Sequence, residues 1–280
     1  MLLRIPHPTP LLTGRLVARW DRFIAEVDLD DGRRVRAHCV NPGRMEGVVR
    51  PGARVWLSPA PPERKRKLKY TWELVEHEGR VVGANTVAPN RIVGELLRAR
   101  VLPGLRRYRA LRAEVAYGEG SRADFCLDGA RPHWIEVKNC HLVYPDGRGY
   151  FPDTVSVRAA HHMAALAATV ASGARATVLF CVQREDARAV RPSRLHDPDF
   201  AEAARHARRA GVRLRALRVR ATPAAYEVLD EIPVDLRPYD ASQHVVWREA
   251  RLPFSGWRRR RYPSTSVPTT RDRGREDAPT

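Results

Sequence analysis

The sequence lacks the cysteine spacing of a zinc or redox centre, and it lacks any long apolar run. Its four cysteines, at positions 39, 126, 140 and 181, form no C-x-x-C pair, so buried free thiols are the simplest interpretation. Residues 1–12 include an arginine and several prolines but no sustained apolar core, and no later segment has the length of a membrane-spanning helix. We therefore expect a cytoplasmic protein in a reducing environment.

Acidic residues are also scarce. The chain has 32 aspartates and glutamates against 50 lysines and arginines, a formal net charge of +18 and a pI of about 10.8. Such a charge favours a polyanionic partner, namely DNA, RNA or an acidic membrane surface. Most of the excess is arginine, whose planar guanidinium suits phosphate, although a GC-rich genome would enrich arginine without a functional reason. Charge alone does not choose among these partners.

The first part of the chain has the pattern of a small β-barrel. Strand-like segments occur at residues 16–18, 23–29, 33–38, 54–57, 70–76 and 80–82. Asp31-Gly32 is a two-residue hairpin pattern between two of these segments. Short strands at this density predict a barrel of the OB type. We expect an OB-like nucleic-acid-binding domain over residues 1–84.

A basic stretch lies between two of the predicted barrel strands. The candidate nucleic-acid contacts in it are Arg64, Lys65, Arg66, Lys67 and Lys69. Trp72 follows closely, and cations interleaved with aromatic rings suit a groove that follows a nucleic-acid strand, since cations meet phosphates while rings stack on bases. The alternative is a solvated loop whose aromatic residues belong to the core. For Trp72 the sequence leaves both interpretations open.

The second part of the chain mixes helices with strands. The predicted elements are a helix at 91–98 with Asn90 as its N-cap, strands at 111–117, 122–127 and 134–139, a helix at 161–172, a strand at 174–183, a helix at 198–210 and a final strand at 212–220. The three consecutive strands are typical of an antiparallel meander. This order predicts a mixed α/β domain over residues 85–236. Residues 237–280 are arginine-rich and predicted to be a disordered tail.

Candidate chemistry lies on two strands of that meander. Asp124 precedes the sequence Glu136-Val137-Lys138 by about a dozen residues. Because strand side chains alternate, Glu136 and Lys138 share one face of their strand. A hairpin between the strands would bring Asp124 beside Glu136. Two carboxylates at a strand edge form an oxygen site of the kind that Mg²⁺ or Mn²⁺ prefers. The sequence thus predicts Asp124 and Glu136 as metal ligands.

These residue types suit phosphodiester chemistry. A bound cation can polarise a phosphate and lower the pKa of a water molecule, while Lys138 can orient that water or neutralise developing charge. Glu95 or Glu114 could supply a further carboxylate. We prefer Glu95, because a helical acid before the meander fits this type of site. The spacing alone occurs by chance in many charged proteins and is weak evidence.

The chain resembles the sugar fermentation stimulation protein A (SfsA) family over residues 12–236. The resemblance rests on H-C-V-N-P-G-R-M at 38–45, K-R-K at 65–67, T-W-E-L at 71–74, N-T at 85–86, N-R at 90–91, S-R-A-D-F at 121–125, E-V-K-N-C at 136–140 and F-P-D at 151–153. It implies an N-terminal OB-like domain, a C-terminal PD-(D/E)XK nuclease-like domain, DNA binding and a regulatory association with sugar metabolism. It also implies that Asp124, Glu136 and Lys138 form the metal and catalytic set.

The chain departs from this family pattern near residue 157. Val157 stands where the family has a glutamate, and His141 stands where it has a threonine, whereas His162 is retained. Arg158 and His162 lie four residues apart, on one face of a helix. Together with Arg122, they are candidate nucleic-acid contacts. A simple surface pair remains the alternative for Arg158 and His162.

Two functions follow from these features. The first, which the family resemblance favours and which we expect, is a DNA-binding protein that grips the phosphate backbone and acts in regulation. The second is a Mg²⁺- or Mn²⁺-dependent nuclease acting on DNA or RNA, which the intact Asp124, Glu136 and Lys138 favour. No helix-turn-helix is recognisable, so we expect salt-sensitive binding with little sequence preference. The oligomeric state is open, with a homodimer among the alternatives, and no membrane partner or small-molecule cofactor is expected.

Overall fold

The computed structural model of the chain describes residues 1–61, 66–117 and 121–259. Five strands close the N-terminal barrel: β2 (Leu12–Trp20), β3 (Ile24–Leu29), β4 (Arg34–His38), β5 (Arg54–Pro59) and β6 (Tyr70–His77). Their order is β4-β3-β2-β5-β6, and β4 pairs with β6 to close the ring. A further strand, β7 (Arg80–Gly83), pairs antiparallel with β6. The predicted OB-like barrel is confirmed. In β3 every second residue is buried, as strand periodicity requires.

A seven-stranded sheet forms the centre of the second part. Its order is β1 (Leu3–Pro6), β15 (Ala225–Ile232), β14 (Arg213–Ala221), β12 (Arg175–Val182), β10 (His133–Cys140), β9 (Ser121–Asp128) and β8 (Ala110–Tyr117). A separate two-stranded sheet contains β11 (Arg148–Phe151) and β13 (Ala189–Pro192). β8, β9 and β10 are antiparallel neighbours, which confirms the meander. β12 is parallel to β10 and to β14.

Helices cover this sheet. They are α1 (Ala88–Arg98), α2 (Val157–Ala171) and α3 (Pro198–Arg209). α1 buries Ile92 and Leu96 in the apolar core that includes Phe125 and Ile135, whereas α2 and α3 pack in a second core with Phe180. The predicted mixed α/β architecture is confirmed. Across the described residues, no helix is long and apolar enough to cross a membrane.

The starts of α1 and α2 and the identity of the last strand differ from the sequence prediction. α1 has Val87 at its N-cap and a proline in its first turn, so Asn90 lies within the helix and is not the cap. α2 begins at Val157, where the Ser156 hydroxyl accepts the Ala159 N–H at 3.2 Å. A serine cap satisfies an otherwise unpaired helix donor, and the sequence prediction missed it. β14 is followed by β15 and is not the last strand.

The structure differs from the sequence prediction at both ends of the chain. β1 pairs antiparallel with β15 in the larger sheet, so Leu3–Pro6 belongs to that sheet and not to the barrel. At the other end, α4 (Ser242–Arg251) and a 3₁₀ turn (Leu252–Phe254) form in the segment predicted to be disordered. An aromatic cluster in which Tyr239 and Trp247 pack on Tyr144 and Tyr150 supplies the burial. The disorder prediction is wrong for this segment, and residues 260–280 lie outside the described residues.

The barrel and the larger sheet meet closely at the end of β7. A Cβ added to Gly83 would lie 1.9 Å from Gln183 Oε1. Only glycine permits this approach. The Gln183 side-chain amide donates to the Asn85 carbonyl at 3.3 Å and to Asn139 Oδ1 at 2.7 Å. Gln183, which follows β12, therefore links the end of the barrel to β10, the strand that carries Glu136 and Lys138.

Candidate active site

Asp124 and Glu136 meet where β9 and β10 stop pairing. The backbone register of the two strands ends at the pair Ile135 and Phe125. Two residues further along β10, the Val137 N–H donates to Asp124 Oδ2 at 2.6 Å. A side-chain carboxylate thus takes the place of the next backbone acceptor on β9. The sequence prediction that a hairpin brings the two acids together agrees with this geometry.

Asp124 is held from two sides. The Asn90 side-chain amide on α1 donates to Oδ1 at 2.6 Å, opposite the bond from the Val137 backbone to Oδ2. Burial, and then the negative charge of Glu136, raise the pKa of Asp124 to about 6. Such a shift shows that two acids share a site poor in water. A cation placed between them would remove the repulsion.

Glu136 is almost fully buried, at 3% exposure. Its Oε1 accepts hydrogen bonds from Lys138 Nζ at 2.6 Å and from His162 Nδ1 at 2.5 Å. Burial acts to raise the pKa of Glu136, but the His162 hydrogen bond and the Lys138 charge outweigh it and the pKa is lowered. Glu136 is therefore an anion at neutral pH. Its other oxygen, Oε2, is buried without a hydrogen-bond partner in the described structure.

The unpaired Glu136 Oε2 is the feature that fits a divalent cation. A buried carboxylate oxygen without a donor costs free energy, and Asp124 contributes a second carboxylate beside it. Within residues 1–61, 66–117 and 121–259, no cluster of three or more His, Cys, Asp or Glu side chains could hold a metal. The protein thus offers two carboxylates. A Mg²⁺ or Mn²⁺ site of this type is completed by waters and substrate phosphate.

The predicted cationic contacts flank these acids. Arg158 is exposed on the first turn of α2, and its Nε lies 3.4 Å from His162 Nε2. This contact is consistent with a His162 tautomer that donates from Nδ1 to Glu136 and accepts at Nε2. Arg122 is exposed two residues before Asp124 on β9, on the same face of the strand. Their role as phosphate contacts stays a prediction.

Glu95 is not part of the site. Its carboxylate pairs with Arg98 at 2.9 Å on the helix surface. Five helical residues separate Glu95 from Asn90, which turns their side chains about 140° apart around α1. The prediction of Glu95 as a further catalytic carboxylate is therefore wrong, and Asn90 is the α1 residue at the site. Sequence reasoning assigned Asn90 to the helix cap because an asparagine before an apolar helix has that pattern.

Trp72 is part of the barrel core. It is 0% exposed, and its indole N–H donates to the Leu74 carbonyl at 2.9 Å. An enclosed ring cannot stack on a base, so the base-stacking prediction for Trp72 is wrong and the core alternative is correct. In the same region Arg66, Lys67 and Lys69 are exposed and remain predicted contacts. Arg64 and Lys65 lie outside the described residues.

Tyr117 is a site residue that the sequence analysis missed. Its hydroxyl is buried without a hydrogen-bond partner in the described structure. Burial, and then the charges of Glu136 and Asp124, raise the pKa of Tyr117, so its hydroxyl stays protonated near the two acids. Its ring stacks on Trp134 at 5.2 Å between centroids. In the sequence, only the position of Tyr117 at the end of β8, the strand before the one that carries Asp124, could have indicated that it lies at the site.

Comparison with known proteins agrees with both parts of the fold. Residues 17–84 match the profile described as the SfsA N-terminal OB domain, and residues 87–225 match the sugar fermentation stimulation protein RE domain. The chain belongs to the sugar fermentation stimulation protein family. The sequence resemblance to this family is confirmed.

Relatives in the family match nearly their full length. The sugar fermentation stimulation protein homologue of Maricaulis maris is 45% identical over 231 residues, which are 82% of this chain and 98% of the relative. The homologue of Methylobacterium radiotolerans is 48% identical over 235 residues, with the same shares covered. The structure of Pyrococcus furiosus SfsA in complex with Ca²⁺ is similar, with a TM-score of 0.76 and 25% identity over 83% of this chain and 99% of that chain.

Part of this chain lies outside the matches to these relatives. They match almost completely, yet a sixth or more of this chain is unmatched. The residues before position 17, where the family profile begins, are too few to account for this difference. The family profiles end at residue 225. The last described segment of the chain, residues 226–259, therefore lies beyond the family profiles.

Proposed function

We propose that the chain is a DNA-binding protein that hydrolyses phosphodiester bonds at the site of Asp124, Glu136 and Lys138, with RNA as the alternative substrate. The observation that supports this most strongly is the buried carboxylate pair, in which Glu136 Oε2 lacks a partner and Asp124 has a raised pKa. A domain that only binds nucleic acid has no physical need for two neighbouring acids, because they repel phosphate.

Asp124 and Glu136 would hold Mg²⁺ or Mn²⁺. When bound, this cation would polarise the scissile phosphate and lower the pKa of a water molecule. Asn90 and the Val137 N–H fix the direction of the Asp124 carboxylate, and His162 fixes that of Glu136. Preorganised groups of this kind do not have to reorient during the reaction.

Lys138 has a separate role. Its ammonium lies 2.6 Å from Glu136 Oε1, and its side chain is 11% exposed. Once the charge of Glu136 is shared with a cation, the Lys138 ammonium is available to neutralise negative charge on the phosphate or to orient a water. Because Lys138 lies on the same strand face as Glu136, its ammonium would be close to both the phosphate and the water.

Binding is proposed to be directed at the nucleic-acid backbone. The net charge of +18 provides a strong attraction to phosphates, and Arg122 and Arg158 are exposed close to the acids. Contacts of this type release counterions, so affinity falls steeply with added salt and depends little on base sequence.

A DNA-binding protein that does not cleave is the second candidate. Two observations favour it. Glu136 Oε1 is already engaged by both Lys138 and His162, and Val157, where the family carries an acid, is 80% exposed at the start of α2. In that case the two acids would be a structural cation site, and the effect on sugar fermentation that names the family would come from regulated binding.

Cleavage of labelled single- and double-stranded DNA and RNA, with Mg²⁺ or Mn²⁺, tests both candidates. We expect cutting that requires the metal and falls at least about 100-fold in Glu136→Gln and in Lys138→Ala, the size of effect typical of lost catalytic groups. Glu95→Gln is the matched control, because it neutralises an exposed carboxylate of the same domain. A gel-shift assay on the same proteins reports binding separately.

The outcomes separate the candidates. Cutting that is lost in Glu136→Gln and kept in Glu95→Gln supports the nuclease. Binding by all variants without cutting under any condition supports the regulatory binder. Cutting that is equal in every variant contradicts the proposed site.

A further inference from the structure

An exposed aromatic pair is formed by the turn after β2 and the C-terminal segment. Phe23 is 45% exposed and Trp257 is 37% exposed, and they are the two aromatic residues among the exposed large hydrophobic side chains of the described chain. The guanidinium of Arg22 lies between them, 5.8 Å from the Phe23 ring centre and 4.7 Å from that of Trp257. We call Arg22, Phe23 and Trp257 the aromatic platform.

The platform is held rigidly, although it joins two distant parts of the sequence. The Arg258 N–H donates to the Arg19 carbonyl at 2.8 Å, and the Asp21 N–H donates to the Arg258 carbonyl at 2.9 Å. On the other side of Trp257, the Gly256 N–H donates to the Arg44 carbonyl at 2.6 Å. Backbone bonds on both sides fix the position of Trp257. Its exposure is therefore a property of the fold.

The surroundings of the platform are cationic. Arg22, Arg44, Arg258 and Arg259 are all exposed. Phosphates are attracted to such a surface, while exposed rings offer a face on which any base can stack. Stacking requires a base that is free of its partner strand, so this combination suits a single strand better than a duplex.

The position in the barrel agrees with this chemistry. Arg22 and Phe23 lie in the turn between β2 and β3, the first two barrel strands. OB-folds bind oligonucleotides with this loop and with the loop between the fourth and fifth strands. The second loop connects β5 to β6 here and carries the exposed Arg66.

A cleft of about 640 Å³ lies beside that second loop. Its lining includes His38, Arg66 and Arg91, and the Phe23 carbonyl accepts the N–H of Cys39, the residue after His38, at 2.8 Å. Arginines from the second loop and from α1 therefore line this cleft.

We propose that the aromatic platform binds single-stranded nucleic acid by base stacking, with Trp257 supplied by the C-terminal segment that lies beyond the family profiles. The proposal rests on the proposed nucleic-acid binding and gives it a substrate class, an unpaired strand. The acids of the candidate active site take no part in it.

Fluorescence anisotropy of a labelled oligothymidylate, without divalent metal, tests the platform in the full-length protein. We expect Phe23→Ala and Trp257→Ala each to weaken binding about 10-fold, the effect of losing one stacked base. Trp257→Phe keeps a ring and should lose much less. Val246→Ala is the matched control, because Val246 is 65% exposed in the same C-terminal segment and should bind like the wild type.

The same variants on a duplex of equal length provide the contrast. Affinity for the duplex should change less than 3-fold, because its bases are not free to stack. Equal losses on both substrates, unchanged binding in Trp257→Ala, or equal losses in Trp257→Phe and Trp257→Ala would each overturn the platform. Anionic lipid vesicles are a further arm, and binding to vesicles but not to oligothymidylate would also overturn it.

Failure of the platform is distinguishable from failure of the proposed function. If Glu136→Gln abolishes cutting while Trp257→Ala binds normally, the nuclease stands and the platform falls. If no variant cuts but Trp257→Ala loses single-strand affinity, the platform stands as part of a binding protein. Binding to no nucleic acid at all would remove both.

Discussion

Two buried glutamate–histidine pairs in this molecule have the same residues and different surroundings. Glu136 bonds His162 at 2.5 Å, and Glu46 bonds His196 at 3.0 Å. Both glutamates are nearly inaccessible, at 3% and 4% exposure. His196 also bonds Ser193 Oγ at 2.8 Å, which gives the second pair the residue types of a serine-hydrolase triad.

The second pair is nevertheless fully satisfied. Glu46 Oε1 accepts the Tyr144 hydroxyl at 2.9 Å, and Oε2 is bonded by His196. Ser193 is 0% exposed, so no substrate can reach it, and its hydroxyl also accepts the backbone N–H of His196. At Glu136, in contrast, one oxygen is unpaired and a second acid lies beside it. Unsatisfied groups, and not residue types, therefore distinguish the candidate active site from a structural contact.

The largest loss of stability is expected from replacing Glu46, the acid of the satisfied pair. Glu46 comes from the barrel half and joins residues of the α/β half, so Glu46→Ala leaves Tyr144 and His196 buried without their acceptor. Each buried donor that loses its acceptor costs about 1–3 kcal/mol, and Glu46→Ala leaves two of them. We expect a clear fall in the urea midpoint and in the melting temperature.

The control for Glu46→Ala is activity per folded molecule. At a temperature where both proteins are folded, the variant should bind and cut nucleic acid like the wild type. A stable variant that has lost cutting would mean that Glu46, and not Glu136, belongs to the functional site, and the contrast between the two pairs would be reversed.

A smaller, pH-dependent effect is expected at Asp124. Its pKa is about 6 in the folded chain and 3.8 when unperturbed. Between these values the folded state binds more protons than the unfolded state, so the free energy of unfolding falls as pH rises through this window. The full cost, about 3 kcal/mol, is present above pH 6 and absent below pH 4.

Asp124→Asn removes this titration. The melting temperature of the variant relative to the wild type should therefore rise from pH 4 to pH 7, and Mg²⁺ should stabilise only the wild type at pH 7. Thermal unfolding across this pH range measures both. A difference that stays constant with pH would show that neither burial nor Glu136 raises the pKa of Asp124 in the folded chain.

Most of the fold could be predicted from local patterns. Alternating burial in β3, the Asp31-Gly32 turn and the apolar face of α1 are all local consequences of the sequence. β1 and α4 could not be predicted in this way. β1 is a four-residue strand whose partner, β15, lies more than 200 residues later. α4 is stabilised by contact with Tyr144 and with Tyr150 of β11, about 100 residues earlier in the chain.

The candidate site divides in the same way. Asp124, Glu136 and Lys138 could be placed together because they lie on neighbouring strands. The partners that orient them could not, since Asn90 and His162 approach from helices whose rotation depends on packing. Trp72 could not be placed either, because the sequence does not reveal whether a ring on a barrel strand faces the core or the solvent.

The smallest effect is expected at Glu95, the acid that the sequence nominated and the fold excludes. Its carboxylate is 45% exposed and pairs with Arg98 within one helix, and such surface pairs are worth about 0.5 kcal/mol or less. Glu95→Ala should therefore leave the melting temperature and the rate of cutting close to those of the wild type. Arg98→Ala provides the same test from the other partner. A loss of cutting in Glu95→Ala, with Arg98→Ala unaffected, would show that Glu95 belongs to the site. It would also mean that α1 rotates when nucleic acid binds.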